Sequence, residues 1–371
     1  MVVHVLPRSR LDEFLERPKF TSRATVGVYK SCIRRTLGPD IEGFLRLTQE
    51  EMEDALIRHV SERARNGTSP SAIRTDISAA KSFLDWCRVD VDWNRVHDEL
   101  PRMRRVMDQR LPTIQEVQKV LQVADPREKA MILLLASSGM RIGALARLKV
   151  GDVQARRVSN ARIGEVRAYN TKRQRWYTTY CSDEALEAIN RYIDLRKQAG
   201  EQVTEDSPLI ARSFDFRKGQ VTGEREMNHG ALPKAMGRVW QKAGLRKKMT
   251  GAKAVYEWKS SHVWRKNFNT IVQNAGMPRN MAMTLLDDLT GLDASYYQPS
   301  HLAEGYAKVM PSLYLQPEWR QRTQMNRMEG VIDRQESTLR IILERMKFNK
   351  LNPLPPDAEI VDADTPQRDD P

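Results

Sequence analysis

Three cysteines in 371 residues, Cys32, Cys87 and Cys181, are too few and too scattered for a disulfide framework, and no C-x-x-C pair occurs. A reducing compartment without structural disulfides is expected. Long apolar runs are missing too, since no stretch approaches the ~20 residues of a membrane span. The opening MVVHVLPRSR has no apolar region of the signal-peptide kind. The chain is therefore expected to be soluble and cytoplasmic, with no membrane partner. It has no glycine-rich phosphate loop, no clustered carboxylates and no metal-ligand spacing among its histidines and cysteines. No cofactor and no metal are expected.

Positive charge is what the chain has in excess. Lys and Arg number 61 against 48 Asp and Glu, a formal charge of +13 with pI near 9.7. A polyanion is the first partner to consider, and double-stranded DNA fits best because Lys and Arg displace its condensed counterions. A basic but otherwise ordinary protein has the same balance, so charge alone does not decide. With 40% hydrophobic residues the chain can bury a sizeable core, in two domains plus appendages.

Residues 10–109 read as helices only. In SPSAIRTDISAAKSFLDWC, Ser69 caps and Pro70 opens a helix, and Ile73, Ile77, Ala80, Leu84 and Cys87 form one stripe at spacings of four and three. Arg74, Lys81 and Arg88 lie opposite, where a solvated face is the ordinary account. Arg102, Arg104, Arg105 and Arg110 make a basic connector between Pro101 and Pro112, where periodicity lapses and the domain boundary is placed.

The pattern restarts at Thr113, which with Glu116 makes a capping-box signature before Val117, Val120, Leu121 and Ala124. Asp125-Pro126 opens a second helix whose run AMILLLA is apolar nearly all round, as befits the middle of a domain. It stops at Gly139, so Arg141 stands at a junction before another short helical run. From Arg162 to Cys181, β-branched and aromatic residues flank Thr171-Lys172-Arg173, which predicts a hairpin. SDEALEAINRYIDL is a capped, packed helix, and residues 197–230 read as loop with a short strand at Pro208-Leu209-Ile210. Lys247, Lys248, Lys253 and Lys259 form a second basic patch, for which plain solvation is an equal reading.

Ser260-Ser261 is a plausible N-cap for a helix that carries His262 and Arg265 three apart on one face. Pro278 opens a further helix, with Ala282, Leu285, Leu286 and Leu289 inward. Two guanidinium groups can clamp the charge that develops on a pentacoordinate phosphorus. An imidazole beside them can trade a proton, and a phenol, Tyr297 or Tyr296, can be the nucleophile.

Arg141, Leu145, Leu148 and Asp152 in the pattern R-x-x-x-L-x-x-L-x-x-x-D, then His262 and Arg265 as H-x-x-R, then Tyr297 resemble the tyrosine recombinase (integrase) family. The run SYYQPS followed by EGYAKVMPSL is similar to its archaeal branch. The likeness covers roughly residues 15–315. It implies a mainly α fold with a small β-sheet: a helical, SAM-like core-binding domain that grips the duplex, and a mixed α/β catalytic domain. It implies that Tyr297 forms a 3′-phosphotyrosine, that Arg141 and Arg265 stabilise the transition state, that Lys172 protonates the departing 5′ oxygen, and that His262 assists proton transfer. Arg173 and Arg175 are neighbours that could be mistaken for Lys172. Tyr297 is preferred to Tyr296 because the nucleophile usually lies nine residues beyond the slot held here by Asp288, and adjacent helical side chains point ~100° apart.

Two departures from the family stand out. Ala144 replaces the acidic residue usual three after the first arginine. Leu286-Asp287-Asp288 replaces Leu-Gly-His, so that Asp288 fills a slot usually held by histidine or tryptophan, where it either anchors an arginine or marks a misaligned segment.

Beyond Pro311, Met325, Met328, Ile332, Gln335, Leu339, Ile342 and Met346 alternate at three and four, a coiled-coil seam or the face of a helix docked on its own domain. Exchange of this helix between protomers would suit an enzyme that assembles a dimer or tetramer on DNA. The proline-rich, acidic end is expected to be disordered. The expected domains are residues 1–109 (helical, DNA-binding), 110–315 (catalytic), 316–350 (C-terminal helix) and 351–371 (acidic tail). The resemblance implies a site-specific recombinase or integrase of a mobile element or chromosome. A type IB topoisomerase-like relaxer and a catalytically decayed, sequence-specific DNA-binding regulator are the alternatives.

Overall fold

The computed structural model describes residues 9–20, 22–102, 110–212, 230–246, 261–289 and 297–351, which fall into two compact units dividing between 108 and 109. Arg104, Arg105, the lysines at 247, 248, 253 and 259, Tyr296 and the acidic tail from 352 lie outside the described residues.

Every described element of the first unit is a helix: α1 (Arg10–Leu15), α2 (Arg23–Leu37), α3 (Ile41–Phe44), α4 (Gln49–Arg65), α5 (Pro70–Trp86) and α6 (Trp93–Asp98). The α4 helix starts where Thr48 and Glu51 satisfy each other's backbone N–H groups, and α5 where the Ser69 hydroxyl accepts from Ala72 ahead of Pro70. Ile73, Ile77, Ala80 and Leu84 are buried against Phe14, Ile33 and Leu56, while Cys87 is only half-buried. On the polar side of α5, Arg74 reaches the Pro101 carbonyl at 3.3 Å and Lys81 lies 4.4 Å from the Trp93 ring centre, whereas Arg88 is exposed. One charge is fully inside. Asp76, 1% exposed, is held by Arg35 at 2.7 Å and Arg63 at 3.2 Å, the kind of pairing that makes a buried carboxylate tolerable.

The second unit is built around α8 (Pro126–Ser138), which follows α7 (Ile114–Val123) and precedes the short α9 (Ile142–Leu145). Capping boxes at Thr113 with Glu116 and at Asp125 with Glu128 start α7 and α8. Residues Ala130–Ala136 are all buried, each leucine among them worth roughly 1.5–3 kcal/mol relative to exposure. Around α8 pack α10 (Asp183–Gln198), α11 (Ala231–Lys242) and α12 (His262–Asn274). The antiparallel sheet, β1 (Val153–Val158), β2 (Ala161–Asn170) and β3 (Arg175–Cys181), has the order β1-β2-β3, with Val153 opposite Val166 and Asn170 opposite Arg175. A second core joins Ile163 and Tyr180 of the sheet to Phe268 of α12, to α13 (Arg279–Leu285) and to α14 (Pro299–Val309). The chain closes with α15 (Pro317–Leu351).

Three local readings are corrected, and one, the N-cap at Ser261, holds in position but lacks its capping bond. The β1 strand was not anticipated: its four middle residues are exposed, so it lacks the alternation that marks a strand. Pro208-Leu209-Ile210 is not a strand, because Pro208 makes a single isolated bridge to Lys149. Ser261 stands at the α12 N-cap in a helical conformation without a side-chain capping bond. Leu289 lies beyond α13 and is half-buried rather than inside. In α15 the seam residues Met325, Met328, Ile332, Leu339 and Ile342 are exposed in the single chain. No helix among the described residues is long and apolar enough to cross a membrane.

Candidate active site

Helix α8 can stop where it does because Gly139 adopts φ +64°, a left-handed conformation that suits glycine, and its N–H returns to the Leu135 carbonyl at 3.0 Å. Met140 is buried, and Arg141 follows in extended conformation at the α9 N-cap, with its side chain 32% exposed. The junction therefore turns a guanidinium outward between two packed helices. Ala144 is buried and brings no carboxylate to it.

Arg265 enters from the first turn of α12 and is only 6% exposed. Its Nη1 donates to the Gly139 carbonyl at 3.0 Å and its Nη2 to the Leu286 carbonyl at 2.6 Å. These are carbonyls at the ends of α8 and α13, where helical acceptors are left over and the dipole favours a cation. His262, one turn earlier, is the first residue of α12 and is exposed.

The turn after α13 ties these parts together. Asp288 is not misplaced: one carboxylate oxygen accepts from Arg141 Nη2 at 2.6 Å and the other pairs with Arg265 Nη2 at 2.6 Å. Burial disfavours its charged form and pushes the carboxyl up, but the Arg265 and Arg141 guanidinium groups prevail and hold it below the usual range. Asp287, buried and at φ +49°, accepts from Asn170 Nδ2 at 2.5 Å and from the Arg175 guanidinium, with Nε at 2.9 Å.

At the β2–β3 tip, the Asn170 side-chain oxygen accepts the N–H groups of Lys172 at 3.0 Å and Arg173 at 3.2 Å, the local bond that favours Asn in turns. Arg173 donates to the carbonyls of Asp288 at 2.9 Å and Leu289 at 2.8 Å. Arg173 and Arg175 are thus engaged in holding the turn. Lys172 is exposed, and among the described residues its side chain makes no hydrogen bond or ion pair. Tyr177 of β3 feels the charges of Arg265, Asp287, Arg141 and Asp288; burial, opposed by Arg265, pushes its phenol up to about 12 and keeps it protonated.

Tyr297 sits in a bend two residues before α14, half-buried against the core of α12, α13 and α14. It is not helical, so the argument from helical side-chain directions does not apply to it. Among the described residues no hydrogen bond or ion pair joins its hydroxyl to either arginine. Nor does any group of three or more His, Cys, Asp or Glu among them suit a metal ion. The structure thus joins Arg141, Arg265 and the turn bearing Lys172 through Asp287 and Asp288, and packs Tyr297 on the core of α12, α13 and α14 without a bond to them among the described residues. Sequence reasoning missed Asn170, Asp287 and Tyr177. An Asn just before a hairpin tip, and an aspartate in a glycine slot, were the signals available for the first two.

The model of the phage integrase family matches residues 110–288, ending at Asp288, nine residues before Tyr297. Tyrosine recombinase XerC of Vibrio cholerae serotype O1 is 24% identical over 318 residues, covering 82% of this chain and 92% of that one. XerC of Vibrio parahaemolyticus is 24% identical over 314 residues, covering 82% and 93%. Among solved structures, a lambda integrase tetramer bound to a Holliday junction superposes with TM-score 0.51 at 17% identity, over 78% of this chain and 79% of that one. The Tn1549 transposon integrase with circular intermediate DNA gives 0.50 at 16%, over 86% and 99%. The ordered motif, the two arginines on one carboxylate and these likenesses agree, and residues 110–288 carry a domain of the phage integrase family.

Proposed function

We propose that this chain is a site-specific DNA recombinase that cleaves and rejoins strands through a 3′-phosphotyrosine, with Tyr297 as nucleophile. The Tyr297 oxygen attacks the scissile phosphorus and the bond to O5′ breaks. Lys172 delivers a proton to that oxygen, a task for which the donor ammonium on a long flexible stem is suited. Arg141 and Arg265 hold the non-bridging oxygens as charge grows on them. His262 assists removal of the phenolic proton. The freed 5′ hydroxyl of a partner strand then attacks the phosphotyrosine and the phenol is restored. The ester conserves the bond energy, so the exchange needs no nucleotide triphosphate.

The observation that carries the reading is the pair of guanidinium groups fixed on Asp288 beside a hairpin tip on which the Lys172 side chain makes no hydrogen bond or ion pair among the described residues. The helical unit of residues 9–102 and the formal charge of +13 fit a duplex DNA partner. Self-association on DNA accords with the exposed seam of α15, and the work is done in the cytoplasm, on DNA.

The test uses a duplex selected from a randomised pool by the wild-type protein, nicked near the cleavage position so that the adduct accumulates. Wild type gives a covalent protein–DNA adduct. Tyr297→Phe binds the duplex equally well and gives none; an undiminished adduct would remove Tyr297 from the reaction.

A further inference from the structure

Asp287 and Asp288 stand side by side, and their carboxylates serve different parts of the site. Asp288 uses both oxygens, one for each guanidinium. It is not a loose plug, because Arg173 fastens the backbone on either side of the following peptide, at the carbonyls of Asp288 and Leu289. Asp287 faces the other way and is buried. It holds the Asn170 amide, whose oxygen in turn fixes the N–H groups of Lys172 and Arg173. A continuous path of short bonds therefore runs from both arginines, through one turn, to the backbone of Lys172.

Two features argue against a purely structural salt bridge. The φ of +49° at Asp287 is a conformation that L side chains seldom adopt, so glycine would rest there more easily. The position nonetheless carries a carboxylate bonded to Asn170 and Arg175. And α9 offers Arg141 no acid, since Ala144 is buried and apolar; Asp288 fills that need from the opposite side.

We infer that the Asp287–Asp288 turn is the positioning element of this active site: Asp288 sets Arg141 against Arg265, while Asp287, acting through Asn170, holds the Lys172 tip in register with them. Neither aspartate touches the reacting atoms. The inference rests on the catalytic reading above, in which the arginines grip phosphate and Lys172 is the general acid.

The test compares full-length variants on two versions of the selected, nicked duplex, one ordinary and one with sulfur in place of the 5′ bridging oxygen at the mapped position. A thiolate leaves without a proton, because its conjugate acid is far stronger than an alcohol. Asp287→Asn should slow cleavage of the ordinary duplex by about 10- to 100-fold, the scale of a misplaced catalytic group. On the sulfur duplex it should run close to wild type. Asp288→Asn should slow both duplexes alike. Asn170→Ala leaves the Asp287–Arg175 pair in place and should repeat the sulfur rescue, which keeps the test alive if Asp287→Asn fails to fold. Equal slowing of both duplexes by Asn170→Ala, or wild-type rates for Asp288→Asn, would overturn the inference. Lys172→Ala is the control: if sulfur fails to rescue it, the general-acid reading itself fails, independently of the aspartates.

Discussion

Gly139→Ala is the single substitution from which the geometry draws the largest consequence. A β-carbon there would lie 2.5 Å from Phe268 Cδ1, 2.6 Å from Leu286 Cδ2 and 2.7 Å from Phe268 Cγ, all inside contact distance. The φ of +64° adds a penalty of about 1 kcal/mol for a non-glycine residue. Forcing apart two packed core side chains costs about 1–3 kcal/mol more. Together these destabilise the second unit by about 2–4 kcal/mol, or on the order of 5–15 °C in its melting temperature. Gly244→Ala separates the two terms. It has φ +72° with nothing within 4 Å, and should lose only the conformational part. Both are read by chemical and thermal denaturation of the full chain. Because the Gly139 and Leu286 carbonyls are the acceptors that fix Arg265, the Gly139 variant should also lose adduct formation at temperatures where it is folded. A Gly139→Ala protein no less stable than Gly244→Ala, and fully active, would refute the packing argument.

Two further outcomes follow from Glu184 and from α15. Burial pushes the Glu184 carboxyl up to about 7 from its ordinary 4.5, although the N–H groups of Gln316 and Leu315 donate to it. A raised folded value means the stability it contributes is complete below its ordinary value and is lost as pH rises through about 7. Glu184→Gln keeps an acceptor without the charge, so its advantage over wild type should grow by about 3 kcal/mol between pH 4 and pH 8; parallel stability profiles would contradict this. Truncation after Gln316 removes the exposed apolar seam of α15 and should shift the DNA-bound protein to smaller assemblies in sedimentation, an effect absent if the seam has no partner.

Local chemistry made the helical scaffold legible. Thr113 with Glu116, Asp125-Pro126 and Ser69-Pro70 announce helix starts, and an all-round apolar run ending in glycine places α8 at the centre. The hairpin was legible too, since β-branched and aromatic residues flank the short polar stretch Thr171-Lys172-Arg173, although the part Asn170 plays in it was not. What escaped depends on partners far along the chain. The β1 strand is exposed along its middle and is defined by its pairing with β2, not by its own pattern. Asp288 could be read as intrusive negative charge until Arg141, 147 residues away, and Arg265 were seen on its two oxygens. The helical argument for choosing between Tyr296 and Tyr297 fails because Pro299 opens α14 only after Tyr297, which leaves that residue in a bend.

The central claim, that a phenol of this chain becomes esterified to a scissile phosphate, is met head-on by digesting the trapped complex and sequencing the nucleotide-bearing peptide by mass spectrometry. The account predicts one modified residue, Tyr297. A nucleotide on Tyr296 or on any other side chain, or complete and specific binding with no peptide modified, would contradict it.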